Sequence, residues 1–97
     1  MFRKIEAARA LTRRAAEYNA TASQPALQGS ISSKVTATQT AFEVASEALQ
    51  IFGGNGLTKK YPMEKLLRDA RSGMIADGCN EVLALKGGSI LINDDLF

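Results

Sequence analysis

ALQIFGGNGLTKKYPMEKLLRDARSGMIADG, residues 48–78, reads as a helix end, a glycine-rich turn, a second helix and a second break. Gly53-Gly54 stops the first helix, because glycine enters the left-handed conformation that closes a helix C-terminus without steric cost. The run GGNGLTKKYP is then a tight loop. Pro62 suits the first turn of the next helix, where its missing N–H would have had no partner. Met63, Leu66, Leu67 and Ala70 continue at helical spacing, and Glu64 and Arg68 can pair four residues apart. Asp77-Gly78 interrupts the pattern again. Cys79 or Asn80 can cap a last helix carrying Val82, Leu83, Leu85 and Ile90, with Gly87-Gly88 placed to end it early.

Upstream the pattern is also helical. From Phe2 to about Asn19, the apolar residues Ile5, Ala8, Leu11, Ala15 and Tyr18 recur every three or four positions, opposite Glu6, Arg9, Arg13 and Glu17. A connection is expected from Ala20 to about Ser33, where Thr21, Ser23, Pro25, Gly29, Ser30, Ser32 and Ser33 favour turns. The next helix begins between Leu27 and Lys34 and runs to Phe52. Val35, Phe42, Ala45, Leu49 and Phe52 form one apolar stripe on it, and Ala41, Val44, Ala48 and Ile51 an adjoining one, so it should be covered by several neighbours. There is no internal repeat and no strand-length alternation. The expected fold is all-α, an antiparallel up-and-down helix bundle forming one domain over residues 1–97.

Composition excludes several chemistries. The 97 residues carry 12 Lys and Arg against 10 Asp and Glu, interspersed along the chain, so no concentrated basic face for nucleic acid is expected. There is no histidine and one cysteine, Cys79, which removes the usual zinc sets and any Ser-His or Cys-His nucleophile pair; no metal site is expected. A lone cysteine forms no intrachain disulfide and points to a reducing compartment, cytoplasmic by default. Met1 to Arg14 has no continuous apolar stretch, so it reads as neither signal peptide nor membrane span, and Glu6 and Glu17 argue against a mitochondrial presequence.

On residue chemistry alone, the Gln50–Gly56 turn is either a helix cap or a place where a ligand meets open backbone amides. Asp77 at a helix-breaking turn is likewise either a cap or a base. Arg68, Asp69 and Arg71 read as a helical charge network, with Asp69 paired to a basic residue.

Taken together, residues 48–78 resemble the closing signature of the acyl-CoA dehydrogenase family. There a Q-I-F/L-G-G-x-G turn precedes a Y-P-x-E-x-L-x-R-D-A helix and then an acidic residue followed by Gly. IEAARALTRRAA, residues 5–16, looks like the preceding helix of the same C-terminal domain, and Lys34 falls sixteen positions before Gln50, as a lysine does in many members. The resemblance implies a chain that lacks the family's N-terminal helical domain, its β-barrel and the first helix of its C-terminal four-helix bundle.

The implied chemistry is α,β-dehydrogenation of an acyl-CoA thioester, in which a carboxylate removes the α-proton and FAD takes the β-hydride. Asp77 matches the base, commonly the Glu of an I-Y-E-G-T segment, and Gly78 matches a substrate-side position. Gln50, Ile51, Phe52, Gly53 and Gly54 match positions that hold the adenine and pyrophosphate of a neighbouring subunit's FAD. Cys79 and Glu81 match flavin-side positions usually occupied by Thr and Gln. Asp77 is one methylene shorter than Glu, about 1.5 Å, so the substrate or the turn must differ; some relatives acting on cyclic acyl-CoA substrates resemble this chain in having Asp there.

The resemblance further implies a homo-oligomer, an electron-transfer flavoprotein as redox partner and, in a eukaryote, a mitochondrial matrix location. The isolated chain is expected to be inactive and without FAD. The alternative is a non-catalytic helical oligomerisation module derived from the same family.

Overall fold

The structure is a computed structural model and describes residues 1–93. Four helices follow in order: α1 (Phe2–Thr21), α2 (Leu27–Phe52), α3 (Met63–Gly73) and α4 (Asn80–Asn93), with a short 3₁₀ turn, Gly53–Leu57, after α2. The bundle is all-α and antiparallel, as its periodicity implies. At one end of the α1–α2 pair, Asn19 Nδ2 donates to Ser30 Oγ at 2.8 Å; at the other, Lys4 Nζ reaches Glu47 Oε1 at 3.2 Å. On the opposite side α3 and α4 descend along α2 one after the other. Arg71 lies over the Phe42 ring, Gly73 faces Thr38, and Gly87 faces Ile31.

α2 is the centre of the arrangement. α1, α3 and α4 each pack on it, and among the described residues no two of those three pack on one another. Its two apolar stripes meet these neighbours in part: Val35, Phe42, Val44, Ala45, Ala48 and Leu49 are partly covered, whereas Ala41 and, at the helix end, Ile51 and Phe52 are exposed. The core is thin. Only Ala8, Ile31 and Met63 among the described apolar residues are buried, and no large side chain is fully enclosed.

Two sequence expectations are corrected here. The α1–α2 connection is not Ala20 to Ser33 but only residues 22–26. Helix persists through the Ser/Thr/Gly-rich run because packing overrides local preference: Ile31 and Ser33 are buried where α1 and α4 lie on α2. The hydroxyls are accommodated by carbonyls one turn back, Thr21 Oγ1 donating to the Glu17 carbonyl at 3.3 Å and Ser33 Oγ to the Gly29 carbonyl at 2.8 Å. The turn itself is closed by Asn19, whose Oδ1 accepts the Ala26 amide at 2.8 Å.

Nor does Gly87-Gly88 end the last helix, since α4 continues to Asn93. Gly87 is buried against α2, where a Cβ would lie 3.3 Å from Ile31 Cγ2, so its small size allows the two helices to approach closely. The contact face of α4 therefore runs through Leu83, Gly87 and Leu91, and leaves Val82 and Leu85 exposed.

Candidate functional site

The two segments singled out in the sequence form two exposed turns. At the first, Gly53 closes α2 with φ 63° and ψ −146°, a conformation that needs glycine, and its amide donates to the Gln50 carbonyl. Gln50, Ile51, Phe52, Gly53 and Gly54 are all exposed, and the space beside Gly53 and Gly54 is open. The following 3₁₀ turn folds back on α2. Gly56 is buried there, and the rings of Phe52 and Tyr61 meet edge to face, with centroids 5.5 Å apart.

The second turn joins α3 to α4. Past Gly73 the chain stays coiled, with the Ile75 and Ala76 amides donating to the Ser72 carbonyl at 3.1 and 2.9 Å. It then reverses through two successive left-handed residues, Asp77 at φ 56° and Gly78 at φ 94°. Asp77 is the one non-glycine residue with positive φ among those described, in keeping with the tolerance of Asp for that region. The Asn80 amide bonds back to the Met74 carbonyl at 3.0 Å, and the Cys79 carbonyl accepts the Leu83 amide at 3.0 Å, which starts α4. Asp77 and Gly78 are exposed. The Asp77 carboxylate has no hydrogen-bond or ion-pair partner among the described residues. Cys79 is a half-buried free thiol, and Glu81 lies exposed in the first turn of α4, where a carboxylate is favoured by the helix dipole.

This second turn is tied to α2. Lys34 Nζ donates to the Gly78 carbonyl at 3.0 Å and to Asn80 Oδ1 at 2.8 Å. Asn80 is buried, and its Nδ2 donates to Thr38 Oγ1 at 3.0 Å; that hydroxyl donates in turn to the Lys34 carbonyl at 2.7 Å. The sequence marks Lys34 only by its spacing from Gln50 and gives no part to Thr38, nor to Asn80 beyond capping. One signal was present: between Glu17 and Glu43, Lys34 is the single charged residue, set in a helix of small and apolar side chains.

The two turns do not converge. Sixteen residues of α2 separate Lys34 from Gln50, about 24 Å at 1.5 Å per residue. Asp77, Gly78, Cys79 and Glu81 thus gather at one place and Gln50–Gly54 at another. Arg68, Asp69 and Arg71 belong to neither. Asp69 pairs with Lys65 at 2.7 Å, Arg68 with Glu64 at 3.8 Å, and Arg71 lies 5.1 Å from the centre of the Phe42 ring. A surface groove bounded by Lys59, Lys60, Tyr61, Lys65 and Arg68 contains none of the predicted site residues.

Comparison with known proteins bears on the whole chain. A family model described as acyl-CoA dehydrogenase, C-terminal domain, matches residues 1–89. Cyclohex-1-ene-1-carbonyl-CoA dehydrogenase of Geobacter metallireducens is 34% identical over 88 residues, covering 91% of this chain and 23% of that protein. The structure of butyryl-CoA dehydrogenase from Megasphaera elsdenii superposes with a TM-score of 0.88 at 35% identity, covering 96% of this chain and 24% of the other. A chain from a structure described as the electron transferring flavoprotein of Acidaminococcus fermentans gives 0.89 at 36% identity, covering 97% and 24%. The chain thus spans about a quarter of the length of these relatives. A match over 89 of 97 residues, on a bundle whose turns fall at the family's signature positions, shows that the chain belongs to the acyl-CoA dehydrogenase family through its C-terminal domain.

Proposed function

We propose that this chain is the C-terminal part of a flavin-dependent acyl-CoA dehydrogenase and that Asp77 removes the α-proton of the acyl-CoA thioester. The observation that carries the reading is the Asp77-Gly78 turn: an exposed carboxylate, unpaired among the described residues, on a left-handed residue, with the turn anchored from a neighbouring helix. A general base needs free lone pairs and a fixed direction of approach. Gly78 then borders the substrate, and Cys79 and Glu81 face the flavin ring.

The residues of the first turn fit the other end of the cofactor. Open space beside Gly53 and Gly54 allows close approach to their backbone, and Gln50, Ile51 and Phe52 flank it. When bound, FAD accepts the β-hydride. About 24 Å of helix between the turns supports the assignment of Gln50–Gly54 to the FAD of a neighbouring subunit and not to the one beside Asp77. The isolated chain therefore holds neither FAD nor activity, and its working form is a homo-oligomer. Reoxidation by an electron-transfer flavoprotein, in the cytoplasm or the mitochondrial matrix of a eukaryote, belongs to the same reading. No described helix is long and apolar enough to cross a membrane.

A second reading, a non-catalytic helical module used for oligomerisation, draws on the thin core and the exposed apolar side chains. One substitution separates the two. In the flavin-loaded enzyme containing this chain, Asp77→Asn should lower acyl-CoA-dependent flavin bleaching by about 10²–10⁴-fold while FAD stays bound. The assay should span straight-chain and cyclic acyl-CoA, since one relative is named for a cyclic one. Near-parental bleaching by the Asn variant would make Asp77 a turn residue and favour the module.

A further inference from the structure

We infer that Lys34 is the positioning residue for Asp77: by holding the Gly78 carbonyl and the Asn80 side chain together, it fixes the turn that aims the Asp77 carboxylate. The inference rests on the reading of Asp77 as a base for its catalytic consequence, but not for its structural content. Asp tolerates φ 56° but is not confined to it, and the Asp77 side chain makes no tether of its own among the described residues, so nothing in Asp77 itself fixes the turn. The constraint has to come from the next residues. Gly78, with no side chain, is held through its carbonyl at 3.0 Å by Lys34, and Asn80 through its Oδ1 at 2.8 Å by the same ammonium. Asn80 is also bound by its amide to Met74 and by its Nδ2 to Thr38, so residues on both sides of Asp77 are fixed.

Helix electrostatics does not account for a lysine here. An ammonium beside the N-terminus of α4 opposes the helix dipole, and Lys34 makes no ion pair among the described residues. Two charge-assisted hydrogen bonds to neutral oxygens hold it there. Those bonds join residues 44 and 46 positions apart, so they set the turn relative to α2 and leave the interiors of α3 and α4 untouched.

Lys34→Met keeps the apolar stem and removes every donor, and Lys34→Arg restores charged donors. By amide hydrogen exchange on the full chain, the Met variant should speed exchange at Asn80 and Leu83 several-fold and leave α1 unchanged, with Arg recovering part of the protection. In the flavin-loaded enzyme, the Met variant should lower kcat on the order of 10–100-fold at nearly constant KM, since the base is misdirected and substrate binding is not. Should the Met variant fold poorly, Lys34→Gln carries the same expectations with one donor group retained. Unchanged exchange at Asn80, a uniform rise over the whole chain, or parental kcat would each overturn the inference. Exchange is read without catalysis, so a fully active Asp77→Asn enzyme would end the base reading while leaving the Lys34 tie to be judged separately.

Discussion

Gly56 sits where a side chain has no room. A Cβ there would come within 2.9 Å of the Leu49 carbonyl oxygen and 3.1 Å of Leu49 Cγ and Phe52 Cβ, and a backbone atom cannot swing aside as a side-chain tip can. Gly56→Ala should therefore destabilise the chain by about 1–3 kcal/mol, read as a lowered urea midpoint at unchanged slope. Gly54→Ala, with open space around it and no positive φ, is the control and should change little. Equal effects would mean that the 3₁₀ turn gives way at both positions. At this scale the sequence was partly legible. Gly53 and the Asp77-Gly78 pair announce turns because few residues take left-handed backbone, but Gly56 looks no different from its neighbours until the fold brings Leu49 against it.

At the scale of helices, Lys4 joins the start of α1 to the end of α2 through Glu47 at 3.2 Å and Glu43 at 3.4 Å. The hydrogen bond to Glu47, then that to Glu43, hold its ammonium above the ordinary value of 10.5. A raised folded-state pKa means that the stabilisation is fully present below pH 10.5 and is lost as pH climbs through the folded value above it. Parent and Lys4→Gln should accordingly differ in thermal midpoint at about pH 9, with the gap narrowing as pH rises above 10.5 and with added salt. A gap that stayed constant with pH would assign the difference to packing of the lysine stem. Helix existence and order were readable because the 3.6-residue period is present in α1, α2 and α3 and glycine pairs or turn residues separate the segments, whereas in α4 the exposed Val82 and Leu85 blur it. Boundaries were less so: packing of α1 and α4 on the buried Ile31 and Ser33 keeps the Ser-rich run helical against its local turn preference, and Gly87, a breaker by composition, became a helix contact because Ile31 needed the space. The tie from Lys34 was hidden for a related reason, since hydrogen bonds between residues 44 and 46 positions apart leave no local pattern.

The molecule as a whole is long for its mass. Its radius of gyration is 16.0 Å and its extents are 51 × 23 × 20 Å, against about 12–13 Å expected for a compact chain of this length. Phe2, Leu85 and Ile92 are 77, 76 and 78% exposed, far from any core. Covering such surface is worth roughly 25 cal/mol per Å², and a stable interface takes about 800 Å² from each partner. The full chain at micromolar concentration should sediment as a homo-oligomer, a twofold dimer above all, with no absorbance at flavin wavelengths. A monomer that unfolds cooperatively would show that four helices close their own core, and a yellow protein would show that one chain suffices for the cofactor. The width of the α2 stripes announces several neighbours in the sequence, but nothing there tells how little of α1 and α4 is covered.

α1, α3 and α4 lean on α2 like spars on one mast. α3 and α4 also share the Asp77 turn, whereas α1 meets that turn only through α2, so a push at the Lys4 end of α1 reaches it as bend or twist of the mast. The Ala- and Thr-rich stretch of α2 between Lys34 and Gln50 is thus the strut that spaces the glycine turn from the acidic turn.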